Sequence, residues 1–186
     1  SAVLEAHEGR FTRLKVPVDA PAAQRDPRVV ETVSAMLLDI ERRGIDAVRD
    51  YAKQLDRWEG DDLEIPASRI ATSGDRIAPE LRRAIELGAE RTQAFARRQR
   101  EGHVDFDVEL APGLHTGVRH VPVGRVGAYL PAGRFPLTAS AFMTVGVAKA
   151  AGVPLVIACT PPQPNGRAND AVLYTAHVSG ADRVFL

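Results

Sequence analysis

The first residues that could take part in binding or chemistry lie at the end of a short apolar stretch, residues 125–130. Tyr129, Pro131 and Gly133 lie where that stretch gives way to a turn. A glycine lets the backbone approach a bound molecule closely, and a phenol can stack on a flat ring or hydrogen-bond a sugar hydroxyl. The helix expected next would turn its N-terminus toward a phosphate. The same pattern also fits a tight turn without a ligand, with the Tyr129 ring in the core.

A second group follows the next apolar stretch, at 154–159. Cys159, Thr160, Pro161 and Pro162 come at its end, and the two prolines would form a rigid apolar surface. Such a surface suits the wall of a cofactor site, and it suits a stiff surface connection equally well. Cys159 is not predicted to be a nucleophile, because no base lies near it in the sequence and a lone cysteine in an apolar strand is usually buried.

The histidines do not predict a metal site. None of the five has a second ligand at a typical spacing; they are His7, His103, His115, His120 and His177. The single cysteine excludes an intrachain disulfide and a cysteine-rich zinc module. Arg97, Arg98 and Arg100 are more typical of a solvated helix end than of an anion site. No catalytic residue and no metal ligand is therefore predicted in this chain.

Both loops belong to a segment that is poor in charge. The chain has 24 basic and 24 acidic side chains, yet only seven of these lie in residues 122–186. Apolar strands alternate there with helices: strands at 125–130, 154–159 and 183–186, and helices at 138–151 and 168–179. The βαβαβ order and the unbroken apolar strands predict the α/β class and a Rossmann-like half-sheet. Ligands of such sheets bind beyond the carboxyl ends of the strands, where both loops lie.

Residues 1–121 predict a helical region, so we place a domain boundary between residues 121 and 122. Asp26 and Pro27 are typical of a helix start, and Gly44 is typical of its end. The other expected elements are helices at 45–55 and 79–100, a short strand at 63–65 and a β-pair at 104–110 and 114–121.

Composition restricts the class of protein. Hydrophobic residues make up 45% and charged residues 26%, as in globular domains, and the formal net charge is zero. A neutral chain is not expected to bind nucleic acid or anionic membranes in general. No stretch approaches the ~20 apolar residues of a transmembrane helix, and residues 1–13 do not resemble a secretory signal. We therefore expect a cytoplasmic protein.

The sequence stops inside the apolar stretch at 183–186. A buried strand at that position is expected to leave an unpaired edge. This pattern predicts that the chain is the N-terminal portion of a longer protein.

An ordered series of motifs resembles the histidinol dehydrogenase family along nearly the whole chain. The most specific is the segment 121–133, which reads Val-Pro-Val-Gly-Arg-Val-Gly-Ala-Tyr-Leu-Pro-Ala-Gly. The other matching segments are 41–48, 110–113, Met143 with 148–153, 159–162 and 179–182. The series in this order is more specific than any single motif.

The resemblance implies a zinc- and NAD-dependent dehydrogenase that oxidises a small alcohol through an aldehyde to a carboxylate. It also implies a homodimer with sites shared between subunits. The family's NAD-contacting loops correspond to Tyr129, Pro131, Gly133, Pro161 and Pro162. The family's zinc ligands and its Glu-His general base are expected beyond Leu186.

Two departures from the family pattern bear on the substrate. Pro131, Ala132 and Gly133 stand where the family usually has Pro-Gly-Gly. Residues 134–140 are closer to the branch that oxidises 2,3-dihydroxypropane-1-sulfonate to sulfolactate than to the branch that oxidises L-histidinol to L-histidine. Arg134 suits a sulfonate, which needs several donors, and it equally suits the NAD⁺ pyrophosphate or solvent. The alternative to an enzyme is a non-catalytic fragment that retains only cofactor or dimer surfaces.

Overall fold

The computed structural model describes residues 26–60, 62–133 and 135–186. Two expectations fall on residues outside these ranges: that residues 1–13 are not a secretory signal, and that Arg134 bears on the substrate. None of the helices within them is long and apolar enough to span a membrane. The chain divides into two compact units, one up to Arg49 and one from Asp50 to Leu186. The boundary between residues 121 and 122 stays a prediction.

The first unit contains helix α1 (Pro27–Arg43) and the beginning of helix α2 (Ile45–Asp56). Asp26 caps α1, because its carboxylate accepts a hydrogen bond from the backbone N–H of Arg28 at 2.9 Å. Gly44 ends α1 with a φ of +61°, in the region that favours glycine. The predicted start and end of this helix are therefore confirmed.

The second unit contains the rest of α2, then α3 (Ala67–Ala71), a 3₁₀ turn (Ser73–Arg76) and the long helix α4 (Pro79–Glu101). A hairpin follows, in which β1 (Phe106–Ala111) pairs antiparallel with β2 (Leu114–Val118). The outermost pair is Phe106 with Val118, so the hairpin is shorter than the predicted pairing of 104–110 with 114–121. At this open end the Asp105 carboxylate, rather than a strand partner, accepts a hydrogen bond from the backbone N–H of His120 at 2.8 Å.

The remaining residues form the predicted βαβαβ unit. Strands β3 (Arg125–Tyr129), β4 (Leu155–Cys159) and β5 (Arg183–Phe185) lie parallel in that order. Three consecutive helical pieces connect β3 to β4: α5 (Ala139–Ala141), a π-helical turn (Phe142–Gly146) and α6 (Val147–Ala150). Helix α7 (Asp170–Ser179) connects β4 to β5. The α/β class and the Rossmann-like half-sheet are confirmed.

The π-helical turn interrupts a helix that the sequence predicts as regular. At its start the Phe142 ring lies against Gly88 of α4, where an added Cβ would come within 3.1 Å of the ring. At its end Gly146 faces Gln93 of α4, whose Cγ would lie 3.3 Å from an added Cβ. The turn therefore lies where this connection packs closely on α4, a contact that the local sequence does not encode.

The outer edge of β5 is paired, which corrects the unpaired edge expected from the sequence. The backbone N–H of Ile65 donates to the carbonyl of Val184 at 2.8 Å, and the N–H of Leu186 donates to the carbonyl of Leu63 at 2.9 Å. Residues 63–65 form only one antiparallel bridge with β5, and not the full strand that the sequence predicts. The carbonyl of Val184 and the N–H of Leu186 at this edge are thus satisfied within the chain.

The core lies between the parallel sheet and its helices. Its most buried large side chains are Leu130, Val145, Val156, Val172, Leu173 and Val184, each at most 1% exposed. Every residue from 171 to 176 in α7 is buried. Burial of one such Val or Leu side chain contributes ~1.5–3 kcal/mol relative to exposure. This core fixes the strand ends from which the two loops of interest depart.

Candidate functional site

The carboxyl edge of the parallel sheet brings the two predicted loops together. Tyr129 and Cys159 are register partners at the ends of β3 and β4, and Cys159 is paired in turn with Phe185 of β5. The loops at 130–138 and 160–169 therefore begin side by side. This is the edge at which parallel α/β sheets bind ligands.

Thr160 ties these loops to each other and to β5. Its hydroxyl donates to the carbonyl of Leu130 at 2.9 Å, and its backbone N–H donates to the carbonyl of Phe185 at 3.0 Å. Thr160 is 2% exposed and Leu130 is fully buried, so these hydrogen bonds act away from water. Thr160 was named from the sequence only as part of the second loop, and this role was not predicted, because its side-chain partner lies in the other loop.

The first loop presents an aromatic ring and an open stretch of backbone. Tyr129 is 64% exposed, so its ring does not fill the core as the alternative interpretation required. Ala132 is buried and anchors the turn. A Cβ built on Gly133 would meet no atom within 4 Å. A flat ring can stack on Tyr129, and a ligand can approach the backbone at Gly133.

The helical segment after this loop begins at Ala139, and Thr138 provides no side-chain cap. The N–H of Leu137 donates to the carbonyl of Pro131 at 3.1 Å, which closes the loop. N–H groups in a first helical turn attract anions, but α5 has only three residues before the π-helical turn. That this helix start faces a phosphate stays a prediction.

The second loop is stiffened by its own hydrogen bonds. Pro161 and Pro162 are half-buried at its start. The N–H of Gln163 donates to the carbonyl of Arg167 at 2.9 Å, and Gly166, with φ of +74°, donates back to the carbonyl of Gln163 at 2.8 Å. The loop therefore forms a firm wall beside the first loop, which agrees with either interpretation of the two prolines.

Cys159 lies at this edge without the surroundings of a nucleophile. Partial burial raises the pKa of its thiol above the ordinary value, which keeps the thiol protonated at neutral pH. Within the described part of the chain, no side chain is hydrogen-bonded to its sulfur. That Cys159 is not catalytic stays a prediction.

The described residues do not fit a zinc site. His115 is held by Asp107 at 2.8 Å and His120 by Asp105 at 2.9 Å. Neither pair gains a third ligand, since no group of three His, Cys, Asp or Glu side chains in the described ranges could hold a metal ion. The exposed ring, the open backbone at Gly133 and the two prolines are what the sheet edge offers to a ligand.

Comparison with known proteins identifies one family. The sequence model described as histidinol dehydrogenase matches residues 20–186. A histidinol dehydrogenase homolog of Ruegeria pomeroyi is 37% identical over 164 residues, which cover 88% of this chain and 37% of the relative. The sulfopropanediol 3-dehydrogenase of the same organism is 38% identical over 156 residues, covering 84% of this chain and 36% of the relative. Histidinol dehydrogenase of Xylella fastidiosa is 38% identical over 165 residues, which cover 89% of this chain and 38% of the relative.

The fold matches the same family. The crystal structure of histidinol dehydrogenase from Elizabethkingia anophelis superposes with a TM-score of 0.75 at 26% identity, covering 91% of this chain and 37% of that chain. The chain therefore spans little more than a third of the length of the relatives that it matches.

Proposed function

The chain belongs to the histidinol dehydrogenase family, and we propose that it forms the NAD-binding part of a zinc-dependent alcohol dehydrogenase. The complete enzyme oxidises a small alcohol through an aldehyde to a carboxylate. The observation that carries this proposal is the exposed Tyr129 ring at the carboxyl end of β3, beside the open backbone at Gly133.

In this proposal the residues of this chain bind and orient the cofactor. Tyr129 stacks on a flat ring of the dinucleotide. Gly133 leaves room for another part of the dinucleotide to contact the backbone. The facing wall is formed by Pro161 and Pro162. Thr160 keeps the two loops in a fixed relation, which reduces the ordering cost of binding. Bound NAD⁺ supplies the acceptor for the substrate hydride. Zinc is held by residues outside those described, so no step is assigned to it.

Two substrates are proposed, because the comparisons support both branches equally. Relatives named for histidinol and for sulfopropanediol are each 38% identical to this chain. Arg134, which would favour the sulfonate, lies outside the described residues. Its neighbours Phe135 and Leu137 are exposed at 69% and 52% and are free to line a substrate. The proposed assembly is a cytoplasmic homodimer, as the resemblance implies.

The test is an assay of the complete protein with zinc and NAD⁺ on both alcohols. Oxidation of an alcohol to a carboxylate removes two hydrides, so two NADH are expected for each alcohol consumed. A preference of about a hundredfold in kcat/KM, or ~2.7 kcal/mol, would assign the substrate.

The outcomes separate the proposal from its alternative. One NADH per alcohol would contradict the double oxidation. Binding of NAD⁺ without turnover of either alcohol would favour a non-catalytic protein that retains the cofactor surface. Sedimentation of the complete protein as a monomer would contradict the homodimer.

A further inference from the structure

A second cleft lies at the amino end of the sheet, opposite the cofactor edge. Its volume is about 860 Å³, and residues just before β3 and β4 line it together with the end of α4. A neighbouring cavity of about 690 Å³ shares Arg100 and His103 with it. We call the larger space the Arg100–His120 cleft, after two of its lining residues.

Two imidazole rings in this cleft are oriented by hydrogen bonds. The ring centroids of His103 and His120 lie 5.0 Å apart at an interplanar angle of 77°. Nδ1 of His103 lies 2.8 Å from the carbonyl of Gln99, and Nδ1 of His120 lies 2.9 Å from the Asp105 carboxylate. Both partners are acceptors, so each Nδ1 carries the proton and each Nε2 is left for a ligand.

Two arginines in the same cleft lack acidic partners. Arg100 donates only to the carbonyl of Ala150, at 3.4 Å, and Arg119 makes no hydrogen bond or ion pair with the described residues. Arg100 lies against Gly152, where an added Cβ would come within 2.9 Å of its guanidinium. The glycine therefore leaves the space that Arg100 occupies. Arg97, Arg98 and Arg100 are all exposed at the end of α4, and Arg100 also lines this cleft.

The carboxylates around the cleft are paired with groups other than these arginines. Asp105 is bound to His120. In the neighbouring cavity Glu101 is paired with Arg98 at 2.8 Å and Lys149 with Asp182 at 2.6 Å. That cavity also adds Arg97, for which no acidic partner exists among the described residues. In the described part of its lining, the arginines of the cleft therefore outnumber the one carboxylate, that of Asp105.

We propose that the Arg100–His120 cleft binds a small organic phosphate. Two guanidinium groups offer donors of different direction, which suit a tetrahedral oxyanion better than a flat carboxylate. The arginines repel a divalent cation, which argues against a metal on the two Nε2 atoms. Much of the remaining lining is apolar and accepts the organic part of the ligand; it is formed by Val121, Pro122, Val123, Val147 and Val153.

The experiment is a calorimetric titration of the complete protein with phenyl phosphate, inorganic phosphate and benzoate. Phenyl phosphate is expected to bind most tightly, because it alone combines a tetrahedral oxyanion with a ring for the apolar lining. Arg119→Gln should weaken it about tenfold or more. Arg119 has no partner in the fold, so this substitution leaves folding intact.

Matched variants locate the site. Arg91→Gln makes the same change of charge on α4 outside both cavities and should leave phenyl phosphate affinity unchanged. Tyr129→Ala should also leave it unchanged, because the cofactor edge is elsewhere. The proposal is overturned by an absence of saturable binding, by equal loss in Arg119→Gln and Arg91→Gln, or by benzoate binding as tightly as phenyl phosphate.

Discussion

Tyr129 and Thr160 have different tasks at the same edge of the sheet. Tyr129 is exposed at the end of β3 and offers its ring to a ligand, whereas Thr160 is buried and holds the two loops in place. The hydroxyl of Thr160 gives the carbonyl of Leu130 its side-chain partner at 2.9 Å. A buried carbonyl that loses such a partner costs about 1–3 kcal/mol.

We predict that Thr160→Val weakens NAD⁺ binding by about threefold to tenfold, or ~0.7–1.4 kcal/mol. Valine keeps the shape of threonine but cannot donate to Leu130, so the two loops lose their direct side-chain link. The measurement is calorimetric NAD⁺ affinity of the complete protein, together with its free energy of unfolding in urea.

Two variants control for this prediction. Thr160→Ser retains the hydroxyl and should bind NAD⁺ almost as the unmodified protein does. Thr175→Val removes an equally buried hydroxyl that donates to Ala171 at 2.7 Å within α7, so it should alter stability without altering NAD⁺ affinity. Equal loss of affinity in Thr160→Val and Thr175→Val would show that Thr160 has no specific positioning role.

The sequence identified some residues at this edge and not others, for a physical reason. Tyr129 and Pro161 were predicted because they lie at the carboxyl ends of apolar strands, which share one edge of a parallel sheet. Thr160 was noted only as part of its loop, because its role depends on Leu130, in a different loop. The roles of Tyr129, Pro131, Gly133, Pro161 and Pro162 in cofactor binding stay predictions.

At the scale of elements, Asp182 links β4, α6 and the start of β5. One carboxylate oxygen accepts hydrogen bonds from Lys149 Nζ at 2.6 Å and from the backbone N–H of Val156 at 2.7 Å. Lys149 and then Val156 hold the pKa of Asp182 below its ordinary value. A carboxyl with a lowered pKa in the folded state stabilises the fold above its unfolded pKa, and that contribution is lost as pH falls through the folded pKa.

We predict that Asp182→Asn lowers the free energy of unfolding at pH 7 by up to about 1 kcal/mol, since the pair is partly exposed. The difference from the unmodified protein should shrink as pH falls below the ordinary aspartate value of 3.8. Urea unfolding across this pH range is the measurement. Glu80→Gln, which breaks an exposed pair with Arg83, is the control and should have almost no effect. A difference that grows at low pH would contradict this prediction.

Elements with local signals were predicted well, and elements with distant partners were not. Asp26 and Gly44 mark the start and the end of α1 through contacts within one helical turn. The pairing of 63–65 with β5 and the π-helical turn against α4 depend on residues far away in sequence. Helical spacing and strand alternation report only near neighbours, so these two features could not be predicted.

At the scale of the whole molecule, the described residues contain no group of three side chains that could hold a metal ion. The chain covers 37% of its Ruegeria pomeroyi homolog. We predict that a polypeptide of residues 1–186 binds well below one equivalent of zinc after dialysis, because none of the described residues form a three-ligand group. Elemental analysis of the dialysed polypeptide is the measurement. One tightly bound zinc per chain would contradict this prediction.

The central claim is that the edge around Tyr129 binds NAD⁺, and calorimetric titration of the complete protein tests it most directly. Tyr129→Ala is expected to weaken NAD⁺ binding by about tenfold or more, or ~1.4 kcal/mol. Folding should persist, because the ring is 64% exposed. Tyr129→Phe, which keeps the stacking face, should retain most of the affinity. Unchanged NAD⁺ affinity in a folded Tyr129→Ala protein would contradict the claim.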